Sequence, residues 1–335
     1  MDLSTRYLGL ELRNPLVASA SPLSNTIDGV RRLADGGVGG IVLYSLFEEE
    51  LDREAARNAL LADAGTESFA ESLSFFPENA GDRPGPGRYL SLLERAVAAV
   101  DIPVMASLNG VTAGGWTDYA SALEGAGAAA IELNIYHLPG DPLVPARDVE
   151  QRLVEVLTSV KATVSVPVAV KLSPYFSSVG EMAQRLDRAG ADGLVLFNRF
   201  LQPDIDPETL TVTAGFGLSS PAEARLPRAW IALLAGRVRA SLAATTGVED
   251  TADVARYLLA GADVVMTASA LLRHGPGYAG VMLRELSAWM DRKGFGSLAE
   301  LRGLLSVPAG TDEAAYERAG YVTVLQAANH GHGPW

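Results

Sequence analysis

The sequence contains no cysteine. That excludes disulfides, a thiol nucleophile, zinc–thiolate sites and an iron–sulfur cluster carried by this chain. Cations are outnumbered as well: 27 Lys and Arg against 40 Asp and Glu give a formal net charge of −13. Phosphate-rich partners need a local excess of cations, so neither nucleic acid nor an anionic membrane surface is expected as the main partner. No run of about 18 apolar residues is present, the length a membrane-spanning helix requires. The opening Met1-Asp2-Leu3-Ser4-Thr5-Arg6 has no basic stretch leading into an apolar one. A secretory signal is therefore not expected, and a cytoplasmic location is. Histidines are few, and no cluster of histidines and carboxylates has metal-ligand spacing, so no metal site is expected. His330 and His332 fall in a short glycine-rich tail, which reads as a free terminus.

What the chain does have is 335 residues, 48% of them hydrophobic, enough to bury a sizeable core. Short apolar runs alternate with longer amphipathic ones. Eight candidate strands emerge: 16–20, 40–44, 103–108, 129–135, 166–172, 193–197, 239–245 and 263–267. Most follow a helix-end signal such as Gly36-Gly37, Ala126-Gly127, Gly190-Ala191 or Gly261-Ala262, where glycine supplies the left-handed residue that closes a helix. Apolar strands covered by helices indicate a parallel sheet. Eight strand–helix units predict an α/β fold, a (β/α)8 barrel formed as one domain over residues 1–335. An open doubly wound sheet is the alternative, but no G-x-G-x-x-G follows the first strand.

Two long interruptions, about 47–88 and 199–225, both follow strands and so fall at the C-terminal face, where barrel enzymes hold their active sites. Each reads as a lid or substrate cover, or as an insertion serving packing or oligomer contact. Residues 297–335 read as a C-terminal helical extension and tail.

The strand ends carry the chemistry-bearing side chains. Ser19-Ala20-Ser21 after the first strand lets a flat ligand approach the backbone. Asn109, Asn134 and Asn198 end the third, fourth and sixth strands, and an asparagine offers both donor and acceptor to the edge of a heterocycle. The last two strand ends, Thr245-Thr246-Gly247 and Ala268-Ser269, read as a phosphate cup at helix starts. Lys171 closes the apolar fifth strand and points into the barrel mouth. A buried ammonium needs an anion, either a ligand such as the N1–C2 edge of a reduced flavin or a barrel carboxylate such as Glu132. His137, three residues after Asn134, is the candidate acid–base group, with Tyr136 the runner-up.

Taken in order, these segments resemble the dihydroorotate dehydrogenase family, closest to its class 1 members. The resemblance runs over almost the whole chain: Asn14-Pro15-Leu16-Val17-Ala18-Ser19-Ala20-Ser21, Glu132-Leu133-Asn134, Val170-Lys171-Leu172-Ser173-Pro174, Asn198, and Lys293-Gly294-Phe295-Gly296-Ser297-Leu298. It implies an FMN-binding barrel that transfers hydride between FMN and a small cyclic CH–CH substrate, dihydroorotate-like or different. Ala20, Ser21, Ser45, Asn109, Asn134, Lys171, Thr245, Thr246, Gly247, Ala268 and Ser269 would bind the cofactor. Asn134, Asn198, Arg199 and Tyr44 would meet the substrate, and His137, Tyr136 and Lys171 would be catalytic. A homodimer and a separate electron-acceptor protein are implied as partners. Any iron–sulfur relay would come from another chain.

The sequence also departs from the family. His137 stands where the family has a cysteine or serine base. Tyr44 replaces a lysine that touches flavin and substrate. Arg199 replaces a small hydroxyl residue, and Thr246-Gly247 replaces Gly-Gly. Two other readings stand beside the resemblance. One is a non-redox lyase or isomerase that uses Lys171 as a Schiff base. The other is an accessory subunit whose catalysis has lapsed.

Overall fold

In the computed structural model the described residues are 1–49, 86–110, 112–136, 140–199, 203–213, 217–308, 310–311, 318, 321–323 and 326. The chain opens with a hairpin, β1 (Thr5–Tyr7) and β2 (Leu10–Leu12), paired antiparallel with Tyr7 opposite Leu10. The sequence reading contained no such element. Its turn residues Leu8 and Gly9 both take positive φ, 54° and 78°, the twist that suits a two-residue hairpin.

Eight parallel strands then close into a barrel, as expected. They are β3 (Leu16–Ala18), β4 (Gly40–Phe47), β5 (Val104–Asn109), β6 (Ile131–Asn134), β7 (Val168–Lys171), β8 (Gly193–Leu196), β11 (Ser241–Ala244) and β12 (Val264–Thr267). All eight coincide with candidate strands. Most are shorter, because ladder pairing stops before the apolar run does; β4 runs three residues further than expected.

The covering helices are α1 (Ile27–Asp35), α2 (Pro86–Ala99), α3 (Ala113–Gly125), α4 (Ala146–Lys161), α5 (Val179–Arg188), α6 (Arg225–Leu234), α7 (Thr251–Ala260), α8 (Ser269–His274), α9 (Tyr278–Lys293) and α10 (Leu298–Leu301). Several start at a side-chain cap: the Thr26, Thr112, Ser178 and Asp250 side chains accept from the backbone N–H three residues on. Gly37, Gly127, Gly190 and Gly261 all adopt the positive φ that the helix-end signals implied. The twice-used Ala-Gly-Ala-Asp segment has a second role at the base of the barrel. Asp192 accepts from Val168 N at 2.7 Å and Asp263 from Leu242 N at 2.7 Å, so each carboxylate stitches its strand to the preceding one.

Side chains fill the barrel rather than lining a pore. Val17, Val42, Met105, Val195, Val264 and Met266 form an interior cluster with Tyr7, Leu8 and Leu12. The hairpin therefore plugs the base. Leu8 N donates to Ser241 Oγ at 3.2 Å, and Thr5 Oγ1 donates to Asp263 O at 2.9 Å. Gly193 is glycine because Leu8 needs the room: a Cβ there would lie 2.5 Å from Leu8 Cδ2.

The second interruption is not the plain loop that was expected. It carries an antiparallel hairpin, β9 (Asp204–Asp206) and β10 (Thr211–Thr213), followed by a 3-10 turn over Pro221–Ala224. The first interruption lies largely outside the described residues, and it ends sooner than expected, since Pro86 already begins α2. The tail histidines also lie outside them. Asp2 N donates to Gly296 O and Leu298 N to Asp2 O, which ties the start of the chain to the turn between α9 and α10. Among the described residues no helix is long and apolar enough to cross a membrane, and no group of three His, Asp or Glu side chains is placed to hold a metal ion.

Candidate active site

A cleft of about 230 Å³ opens at the C-terminal ends of the strands. It gathers ten of the residues singled out from sequence: Ser19, Ala20 and Ser21, Lys171, Asn198 and Arg199, Thr245 and Thr246, Ala268 and Ser269. The chain brings them together because each follows or ends a parallel strand, and parallel strands finish on one face.

Lys171 ends β7 and lies on the floor of this cleft, with its side chain 10% exposed. Of the two anions expected for it, the structure shows Glu132. Nζ sits 3.2 Å from Glu132 Oε1, on the neighbouring strand β6, while Lys171 still lines the cavity. Asn134 and Asn198 meet across the strand between them: Asn198 Nδ2 donates to Asn134 Oδ1 at 2.6 Å. Asn198 lines the cleft, whereas Asn134 and Gly247 are not among its lining residues.

Both expected helix starts are present: α7 begins at Thr251 shortly after Thr246-Gly247, and α8 begins at Ser269. Asp250 caps α7 with its own carboxylate, accepting from Asp253 N at 3.0 Å, so that terminus is already served. The polar groups beside the cleft are hydroxyls instead. Ser219 Oγ and Ser269 Oγ lie 2.9 Å apart, and Gly247 N donates to Ser219 Oγ at 3.2 Å. Arg273 donates to Ser219 O at 2.9 Å and pairs with Glu249. Ser219 was not singled out from sequence. It sits inside the second interruption, and only tertiary folding carries it fifty positions along the chain to Ser269.

Thr246 lacks glycine's freedom yet takes the left-handed conformation, with φ of 78°. A β-branched residue there is strained. Its surroundings hold it: Thr246 Oγ1 donates to Phe197 O at 3.0 Å, and the buried Tyr257 hydroxyl donates to Thr246 O at 2.7 Å. Gly247 follows at φ of 70°, and a Cβ on it would meet Ser220 O and Ala224 N at 2.7 Å. The Thr-Gly pair thus reaches a turn geometry expected of Gly-Gly.

Arg199 lines the cleft, but its guanidinium fastens the wall: Nε pairs with Glu223 at 3.0 Å and NH1 donates to Gly217 O. Tyr44, Ser45, Asn109 and Tyr136 do not line this cleft. The register of β4 against β5 slips between Val42 and Ser45. Tyr44 packs on Tyr89 of α2 with ring centroids 5.0 Å apart, and Ser45 Oγ lies 2.9 Å from Ser107 Oγ. Asn109 is buried at the end of β5, and Tyr136 is 41% exposed. His137 lies outside the described residues.

A closed (β/α)8 barrel with its polar cleft at the strand C-termini is the architecture of barrel proteins that bind ligands at that face. A family model described as dihydroorotate dehydrogenase matches residues 62–290, more than half of the chain. The chain belongs to the dihydroorotate dehydrogenase family. It is similar to the protein named dihydroorotate dehydrogenase B (NAD(+)), catalytic subunit, of Methanothermobacter thermautotrophicus, with 26% identity over 320 residues covering 90% of this chain and 98% of that one. The protein of the same name from Methanocella arvoryzae is 29% identical over 310 residues, covering 91% and 98%. That from Halalkalibacterium halodurans is 32% identical over 215 residues, covering 62% and 69%.

Proposed function

We propose that the protein is an FMN-dependent oxidoreductase that transfers hydride between FMN and a small cyclic substrate with a CH–CH unit. The observation that carries this reading is Lys171: it lines the strand-end cleft together with the small residues Ser19 to Ser21 and with Thr245 and Ser269. The donor set fits the cofactor. Small side chains leave a flat approach for a ring system, a lysine suits an edge that gains negative charge, and the Ser219–Ser269 hydroxyls with Arg273 nearby suit a phosphate.

FMN, when bound, supplies the hydride acceptor. The residues of this chain do the rest. Lys171 offers a fixed cation to charge that develops at the ring edge, without having to reorganise. Asn134 and Asn198 present donor and acceptor edges that orient a substrate carrying amide-like groups. Arg199 holds the 217–224 segment as a wall of the cleft through Glu223 and Gly217. His137 is the proposed group that moves the proton at the carbon next to the one exchanging hydride, with Tyr136 its alternate.

Family membership and the names of the relatives support the reading. Those names specify catalytic subunits, which supports a separate electron-accepting protein as a partner here. A homodimer remains part of the proposal. Schiff-base chemistry at Lys171 needs a free amine, and the bond from Nζ to Glu132 argues against it.

Titration of the purified protein with FMN, followed by absorbance and fluorescence quenching, tests the proposal. One FMN bound per chain is expected. A protein that takes up no FMN overturns it. With dihydroorotate and an artificial electron acceptor as probes, His137→Gln should slow reduction by on the order of 10²-fold.

A further inference from the structure

Beneath the cleft the inward-facing residues of the barrel change character. Alternate residues of a strand face inward. On β6 these are Glu132 and Asn134, with Ala130 just before the strand, and on β7 they are Ala169 and Lys171. Ala130 and Ala169 belong to the interior apolar cluster with Tyr7. Two residues beyond Ala130, and in register with Ala169, stands a carboxylate. The Glu132 side chain is 3% exposed. Oε1 meets Lys171 Nζ at 3.2 Å, while Oε2 has no hydrogen-bond partner among the described residues.

The buried phenols of Tyr7 and Tyr89 both lie close enough to feel the Glu132 charge, and that of Tyr7 also lacks a hydrogen-bond partner among the described residues. Burial first, then the charges of Glu132 and Asp263, push Tyr7 well above its usual range, so it adds no charge of its own to the barrel. A buried carboxylate persists when a cation compensates it. Lys171 is that cation, and it is also the cation on the cleft floor.

We propose that Glu132 is a positioning residue: it anchors the Lys171 ammonium at the cleft floor, offsets part of its charge, and so sets how strongly the site favours reduced over oxidised flavin. This rests on the flavin reading above. A lone lysine would hold an anionic ring edge strongly. A carboxylate on its far side cancels part of that attraction, and low dielectric keeps the cancellation effective. Glu132 does not line the cleft and acts through Lys171.

The test compares FMN-reconstituted wild type with Glu132→Gln and Glu132→Asp. Midpoint potentials are read by spectroelectrochemistry, and FMN dissociation constants are measured in both oxidation states. Glu132→Gln keeps the shape and removes the charge. The preference for reduced over oxidised FMN should rise about tenfold, which is about 30 mV in a two-electron couple. Glu132→Asp keeps the charge on a shorter arm and draws the ammonium off the floor, so the preference should fall. A merely structural role moves both variants the same way, with a loss of melting temperature. Shifts of one sign, or none, overturn the proposal. If Glu132→Gln does not fold, a fall in the Glu132→Asp preference at unchanged melting temperature supports the proposal, and a rise, no shift, or a fall with lost melting temperature overturns it. Wild type that takes up no FMN overturns the functional reading and this one with it. Wild type that binds FMN, beside variants indistinguishable from it, overturns this one alone.

Discussion

Asn198 and Asn134 join amides across β7: Nδ2 of the first donates to Oδ1 of the second at 2.6 Å, linking the ends of β8 and β6. The bond is partly buried, so each residue is expected to contribute about 1 kcal/mol to stability. Asn198→Ala and Asn134→Ala should each cost about that much, and the double variant less than the sum. Urea denaturation of the four proteins measures the coupling. Strict additivity would show that the two amides do not act together.

Gly247 closes the cup at positive φ with Ser220 O and Ala224 N in the way of any Cβ. Both obstacles are backbone atoms and cannot swing aside. Gly247→Ala should therefore cost about 2–4 kcal/mol, from left-handed strain and overpacking together. It should also weaken FMN binding, because the Gly247 N–H bond to Ser219 Oγ is displaced. Denaturation midpoints and FMN titration check both effects.

Leu8 and Gly193 share one space inside the barrel, at 2.5 Å for a Cβ built on the glycine. Leu8→Ala should cost about 3–5 kcal/mol by leaving a cavity under β8. Gly193→Ala should destabilise the wild type, yet recover part of the loss in the Leu8→Ala background. A thermodynamic cycle gives the coupling, and a Gly193→Ala change that hurts both backgrounds equally would break the link.

Glu124 accepts hydrogen bonds from Ser165 N at 2.9 Å, from the Ser165 hydroxyl and from Val166 N at 3.2 Å. The hydroxyl bond first, then the backbone bond from Ser165, hold its carboxyl below the ordinary value of 4.5. A lowered folded value means that the native state binds this proton less readily than the unfolded chain. Its stabilisation is full above the ordinary value and is lost as pH falls through the folded one. Glu124→Gln should flatten that part of the acid limb. Melting temperatures of both proteins between neutrality and pH 3 provide the check, and parallel acid limbs would contradict it.

The N-terminal hairpin shows where local reading stops. Its strands are three residues each, too short for alternation to stand out, and their burial depends on a barrel that forms only later in the chain. Ser219 escaped notice for a related reason: a serine in a long interruption has no local signature, and its pairing with Ser269 is a tertiary fact. Tyr44 and Ser45 both miss the cleft, and the register slip beside them in β4 cannot be seen in an apolar run.

Eight short apolar runs, glycine-closed helices and polar residues at the strand ends were determined by the sequence alone, because hydrophobic periodicity and backbone freedom are local properties. Folding decided the rest. Whether Lys171 faces a carboxylate or a cavity depends on distances between strands, and the closed barrel gives it both: Glu132 at 3.2 Å below and the cleft above.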